Sequence, residues 1–249
     1  MVIIKSKNEI EQMKKSAKIS SGAIKLAGSI IQPGITTGDI DKQILEFILT
    51  SGGVPSFLHY QGFPNSVCIS INDEVIHGIP GGRKLKDGDI VSIDVGVKLF
   101  GMHTDTAKTF ACGTISSEAK KLIQVTEQSF FEGIKYAREG YRIGDLGSAV
   151  DEYVKSYGYS TVKIYNGHGV GFELHEDPAI PNYGTPGKGT RFIKGMSVAV
   201  EPMINQGTDE IKVLKDGWTV ITKDGRLSSH YEHTVIITDG QALPITYCD

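Results

Sequence analysis

Two segments of this chain resemble each other. Pro33-Gly34-Ile35-Thr36-Thr37-Gly38-Asp39-Ile40 resembles Glu139-Gly140-Tyr141-Arg142-Ile143-Gly144-Asp145-Leu146, at an offset of 106. The helix-like runs behind the two copies also match: Ile44 with Val150, Phe47 with Tyr153, Ile48 with Val154, and Gly52 with Gly158 at the end. At an offset of 107, Gly88 falls on Gly195 and Asp94 on Glu201. Solenoid repeats run about 20–50 residues, so this period is too long for one. Duplication of a whole helix–helix–strand unit explains it, with a site between two pseudo-symmetric halves of about 1–112 and 113–249.

The matched positions Asp94 and Glu201 both carry carboxylates in strand-like surroundings. In Ile90–Val97, Val91, Ile93, Val95 and Val97 alternate with Ser92, Asp94 and Gly96, the pattern of a half-buried strand. Asp94 therefore leaves the apolar face and points into whatever the other face lines. A hairpin turn around Lys98–Gly101 is expected to set Asp105 directly opposite Asp94, with β-carbons about 5 Å apart. Like charges that close are destabilising unless a cation lies between them. A metal site is the economical reading.

Glu201 ends the run Ser197–Glu201, Glu232 opens the β-branched run to Ile237, and His168 lies in the glycine-rich Asn166–Gly171. Glycines there let backbone approach a ligand closely. A single carboxylate in a strand is ordinarily a structural hydrogen-bond acceptor, but Asp94, Asp105, His168, Glu201 and Glu232 make five ligand-competent residues in similar contexts. Four oxygen donors and one imidazole suit two neighbouring divalent ions such as Mn, Fe(II), Co or Zn. Such pairs commonly serve as hydrolytic centres.

The 249 residues, 39% of them hydrophobic, can bury a substantial core. The net charge of −3 and the lack of a basic run give no sign of nucleic-acid binding. Cys68, Cys112 and Cys248 have no paired spacing, so neither a disulfide framework nor a cysteine zinc site is expected. The N-terminus turns polar too soon for a signal peptide, and no apolar run approaches the ~20 residues needed to span a bilayer. The cytoplasm is the expected location. Ser6-x-x-Glu9 reads as a capping box ahead of a helix ending before Pro33. Further helices are expected at 38–51, 117–138 and 144–157, with a hairpin around 90–110 and strands at 67–71 and 214–221 and around Glu201 and Glu232. No exposed apolar helix stripe demands a partner, so a monomer is expected.

Val75-Ile76-His77-Gly78-Ile79-Pro80, Asp94-Val95-Gly96, Asp105-Thr106-Ala107, Gly167–Gly171, Leu174–Pro178, Val200-Glu201-Pro202 and Tyr231–Thr234 together resemble the type I methionine aminopeptidase family. The likeness runs from the first helix to the last strand. It implies an α+β, pita-bread fold, with an antiparallel sheet covered by helices, and a single catalytic domain over 1–249. It also implies removal of the initiator methionine from nascent chains. By that resemblance Asp105 and Glu232 bridge two ions, Asp94 completes one, and His168 with Glu201 the other. A bridging hydroxide then attacks the scissile carbonyl, with Glu201 moving its proton to the leaving amine. The peptide N-terminus is the implied partner, with the ribosome as the place where nascent chains are met.

His175 could donate to the carbonyl oxygen as charge develops, and His77 could contact the peptide nitrogen or the second residue. For both, a loop histidine bonded to backbone is the plain alternative. By resemblance Tyr60, Phe63, Cys68 and Trp218 line the methionine pocket, where aromatic faces suit a thioether; by residue type alone they read as ordinary core. Phe57, Phe63, Leu174 and His230 depart from residues more usual in the family, which bears on pocket shape and metal preference. His59, His103, His230 and His233 read as strand or loop histidines. Two alternatives remain: a proline-specific aminopeptidase of the same fold, whose usual extra N-terminal domain 249 residues would not accommodate, and a catalytically silent binding protein, which would be expected to have lost ligands. Amidinohydrolysis on this fold does without metals, which five retained ligands argue against.

Overall fold

Four helices and a nine-stranded antiparallel sheet carry the molecule in the computed structural model, which describes residues 2–247. Cys248 lies outside the described residues. Helix α1 (Lys7–Ile30) begins on the expected capping box, with the Glu9 N–H donating to Ser6 Oγ and the Ser6 N–H to the Glu9 carboxylate. Its Ala23, Ile24 and Ala27 bury against α2 (Thr37–Thr50) and the strands Cys68–Ile71 and Ile90–Leu99, forming the first core with Ile40, Ile44 and Ile48. Helices α3 (Ser117–Ile134) and α4 (Ile143–Lys155) build a second core with Val198, Val200, Val235 and Ile237. Each core is thus one helix pair on part of a shared sheet.

The repeat is visible in bonding as well as in sequence. Gly34 and Gly140 both have φ of 94°, a left-handed conformation that glycine adopts without penalty. Behind them the Gly38 N–H donates to Gly81 O at 2.8 Å and the Gly144 N–H to Lys188 O at 3.0 Å. The next equivalents, Leu85 N–H to Ile35 O and Phe192 N–H to Tyr141 O, keep the offsets of 106 and 107.

The sheet runs Val54–Pro55, Ile90–Leu99, Met102–Ala111, Glu232–Ile236, Ser197–Val200, Gly167–Gly169, Glu176–Ile180, with Cys68–Ile71 and Leu243–Pro244 added at its sides. Strands of the two halves meet where Glu232 pairs with Ala107 and His233 with Thr106. The register of the first hairpin differs from expectation. Phe100 (φ 53°) and Gly101 (φ 81°) form a two-residue turn between paired Leu99 and Met102, the positive-φ geometry that suits strand twist. Asp94 consequently pairs with Ala107 and Asp105 with Gly96. The two aspartates are diagonal neighbours rather than direct opposites, and they still share a face because the shift is even.

Residues 214–221 are not one strand. Ile211–Val213 pairs with Val220–Thr222, and Leu214–Thr219 turns between them around Asp216, which accepts from the Trp218 and Thr219 N–H groups. The helix expected to reach 138 ends at Ile134. Among the described residues no helix is long and apolar enough to cross a membrane.

Candidate metal centre and substrate pocket

One cavity of ≈ 350 Å³ is lined by Asp94, Asp105, His168, Glu201 and Glu232 together with Tyr60, Phe63, Cys68, His77, His175 and Trp218. Every residue singled out in the sequence for metal or substrate contact therefore faces the same space. The hairpin supplies both aspartates, Glu201 directly follows the Ser197–Val200 strand, and Glu232 opens the strand between them. Thr234 stitches Asp105 into place: its hydroxyl accepts from the Asp105 N–H at 2.8 Å and donates to the Asp105 carbonyl at 2.9 Å. The Thr106 hydroxyl donates to the Glu232 carbonyl at 2.8 Å.

His168 is held as a ligand should be. Its Nδ1–H donates to the Gly169 carbonyl at 2.8 Å, which leaves the Nε2 lone pair free. Nε2 faces Glu201 Oε1 at 3.5 Å and Asp105 Oδ2 at 3.9 Å. Burial, with His175 adding to it, lowers the His168 pKa to about 3, so the ring is neutral at pH 7. Burial raises all four carboxyls. Asp105 rises to about 7; Asp94, Glu201 and Glu232 are raised well above the usual carboxylate range, with charge from neighbouring carboxylates as the next cause. Asp94 Oδ1 and Glu232 Oε1 are buried without a hydrogen-bond partner among the described residues. Buried oxygens that repel each other and lack donors are what divalent cations neutralise. The donor atoms of Asp105, His168 and Glu232 lie within 4.8 Å of one another, and so do those of Asp94, His230 and Glu232. The residues fit a metal centre.

The apolar side of the cavity is an aromatic cup. Phe63 meets Trp218 edge-on at 5.1 Å between ring centres, and Phe57, Cys68 and Leu174 pack with them. His77, at φ 59° just after the strand Glu74–Ile76, stands edge-on to Tyr165 at 5.6 Å and Trp218 at 6.3 Å. Burial lowers its pKa to about 4. The His175 ring sits 4.2 Å from that of His168, and its Nδ1 is 2.8 Å from the Tyr60 hydroxyl.

Of the histidines read as structural, His59 is exposed, His103 bonds Ser56 Oγ at 2.9 Å, and His233 bonds Thr106, Thr246 and Tyr231. His230 differs. It is buried beside the carboxylates, where burial first and then His77 lower its pKa to about 3. Tyr165 and Asn166 also line the cavity, unanticipated although they abut the glycine-rich histidine segment. The signal for His230 was its spacing, two residues before Glu232, which along a strand shares a face.

The fold and this cluster define a class. The chain belongs to metallopeptidase family M24, whose pattern matches residues 11–239, and divalent-metal use follows from that membership. Its relatives include the methionine aminopeptidase of Clostridium perfringens, 51% identical over 237 residues and 95% of each chain. Methionine aminopeptidase 1 of Bacillus subtilis is 46% identical over 239 residues and 96% of each. Among solved structures, methionine aminopeptidase from Thermotoga maritima superposes with a TM-score of 0.97 at 42% identity, over 100% of both chains. Prolidase from Pyrococcus furiosus reaches a TM-score of 0.77 at 24% identity, over 99% of this chain and 66% of its own; that likeness is one of fold. The α+β pita-bread architecture is thereby established.

Proposed function

We propose that this protein releases the N-terminal methionine from nascent proteins and peptides whose second residue is small. The observation that carries the reading is the single cavity joining a buried carboxylate–histidine cluster to an apolar aromatic cup. The relatives at 46–51% identity with matched lengths support it. Asp105 and Glu232 would be shared by two ions, drawn from Co, Mn, Fe(II) or Zn, with Asp94 completing one set and His168 with Glu201 the other. Two such ions would polarise the scissile carbonyl and lower the pKa of the attacking water.

The chain's own groups do the rest. Glu201 accepts the water's proton and delivers it to the departing amine. In the tautomer where the Tyr60 hydroxyl donates to His175 Nδ1, which lies 2.8 Å away, His175 Nε2–H is available to the carbonyl oxygen as negative charge develops there. His77, fixed by Tyr165 and Trp218, limits the second residue, while Tyr60, Phe63, Cys68 and Trp218 receive the unbranched thioether. Residues 1–249 act as one catalytic domain with halves of about 1–112 and 113–249, a monomer meeting nascent chains in the cytoplasm, with the ribosome as the meeting place.

Methionine release from Met-Ala-Ser, compared with Leu-Pro and Met-Arg peptides with and without chelator, tests this. Met-Ala-Ser should be cleaved only with metal, and a norleucine analogue more slowly, because one methylene-scale change is worth only ~1–3 kcal/mol. Leu-Pro or Met-Arg cleaved as fast as Met-Ala, or full activity without metal, would overturn it.

A further inference from the structure

The imidazole of His230 is buried against the metal centre with nothing assigned to it. Its strand, Ser228–His230, pairs with Met203–Asn205 and sets His230 opposite Met203, next to the Glu201-Pro202 turn. Thr109 clamps its main chain from both sides: the His230 N–H donates to Thr109 Oγ1 at 3.0 Å, and the Thr109 hydroxyl donates to the His230 carbonyl at 2.8 Å. The backbone is thus fixed without help from the ring. The residue is 2% exposed, and Nε2 has no hydrogen-bond partner among the described residues.

Nε2 lies 3.8 Å from Glu232 Oε2 and 3.9 Å from Glu201 Oε2. Hydrogen bonds from ring nitrogens to oxygen run about 2.7–3.2 Å, so neither approach is one. Two donors bound to one cation at ~2.0–2.2 Å can stand up to about 4.4 Å apart, and the distance to Glu232, the carboxylate common to both sets, falls inside that span. The companion geometry agrees. Asp94, His230 and Glu232 bring their donor atoms within 4.8 Å of one another, as Asp105, His168 and Glu232 do. Glu232 is common to both triads, and each aspartate has its own histidine. Asp94 Oδ1, on the His230 side, is itself buried and unpartnered among the described residues.

We infer that His230 ligates the ion on the Asp94 side through Nε2, so that the centre draws on two histidines rather than one. The inference rests on the two-ion reading above and adds a donor to it. An imidazole in that set disfavours Mg, which prefers oxygen and water, and favours Mn, Fe(II), Co or Zn.

Calorimetric and spectroscopic titration of full-length metal-free protein with Co(II) tests it, using wild type, His230→Gln and His230→Ala. Glutamine keeps a polar side chain of similar reach; circular dichroism confirms that each variant is folded. Wild type should bind two equivalents, and in both variants one of the two should weaken by at least about tenfold, with a changed visible Co(II) spectrum. Pulsed EPR on the Mn(II)-loaded wild type supplies a readout that needs no variant: nitrogen coupling from two imidazoles is expected. A single coupled imidazole, or unchanged affinities and spectra in both variants, would overturn the inference while leaving the two-ion centre standing. Wild type that takes up no Co(II) would overturn both.

Discussion

Metal binding by this protein should release protons, and by a calculable amount. Without metal, burial raises Asp105 to about 7 and lifts Asp94, Glu201 and Glu232 as well. A cation needs those carboxyls ionised, so it competes with protons for them. From pH 8 to pH 6, a single carboxyl with a pKa of about 7 weakens apparent affinity roughly tenfold, and the other three steepen the fall. His168, lowered to about 3, is already neutral throughout this range and releases no proton on binding metal through Nε2. At pH 7 Asp105 alone should give up about half a proton. Mn(II) titrated into metal-free protein, in buffers of unlike ionisation enthalpy at pH 6, 7 and 8, measures both quantities. Buffer-independent heats together with a flat affinity would refute the reasoning. The same groups act on stability. A carboxyl whose folded pKa is raised stabilises fully below its unfolded value near 3.9 and loses that contribution as pH rises through the folded value. Buried histidines such as His168 and His230 oppose this below their unfolded value near 6.5. The carboxylate effect is therefore read above pH 6.5, where the metal-free protein should lose melting temperature towards pH 8.

Three further outcomes are expected. Glu201→Gln should lower the turnover number by ~10²–10⁴-fold in steady-state assays, the usual range for a lost general base. His175→Ala should lower turnover ~10²–10³-fold while metal content, measured by elemental analysis, stays at the wild-type value; an emptied centre would show the role to be wrong. Asp41→Ala should cost about 1–3 kcal/mol in urea unfolding, because it strips acceptors from buried donors. Asp41 accepts from Asn65 Nδ2, the Ser66 N–H, the Ser66 hydroxyl and the Val67 N–H, at 2.6–3.2 Å, just ahead of Cys68.

What the sequence made legible was whatever has a period or a matched spacing. The alternation of Val91, Ile93, Val95 and Val97 placed Asp94 on the correct face, and the duplicated Gly34 and Gly140 marked equivalent turns. The hairpin register was missed because it depends on two backbone conformations, at Phe100 and Gly101, that no apolar pattern encodes. Leu214–Ile221 read as a strand because its ends are apolar, whereas Asp216 folds the middle into a turn through local hydrogen bonds. His230 looked like any strand histidine, since Asp94, which completes its triad with Glu232, comes near only through tertiary structure. Residue type and periodicity report which face a side chain takes; they are silent on what stands across from it.

The seam between the halves, where Glu232 pairs with Ala107 and His233 with Thr106, has one more consequence. Asp105 and Glu232 are far apart in the chain, so an ion shared by them would be a reversible cross-link. Like a disulfide closing a long loop, it would penalise any state in which the halves part, yet chelation undoes it without breaking a covalent bond. Metal supply would then set how firmly the strands carrying Asp105 and Glu232 stay paired, and limited proteolysis of metal-free against metal-loaded protein reads it.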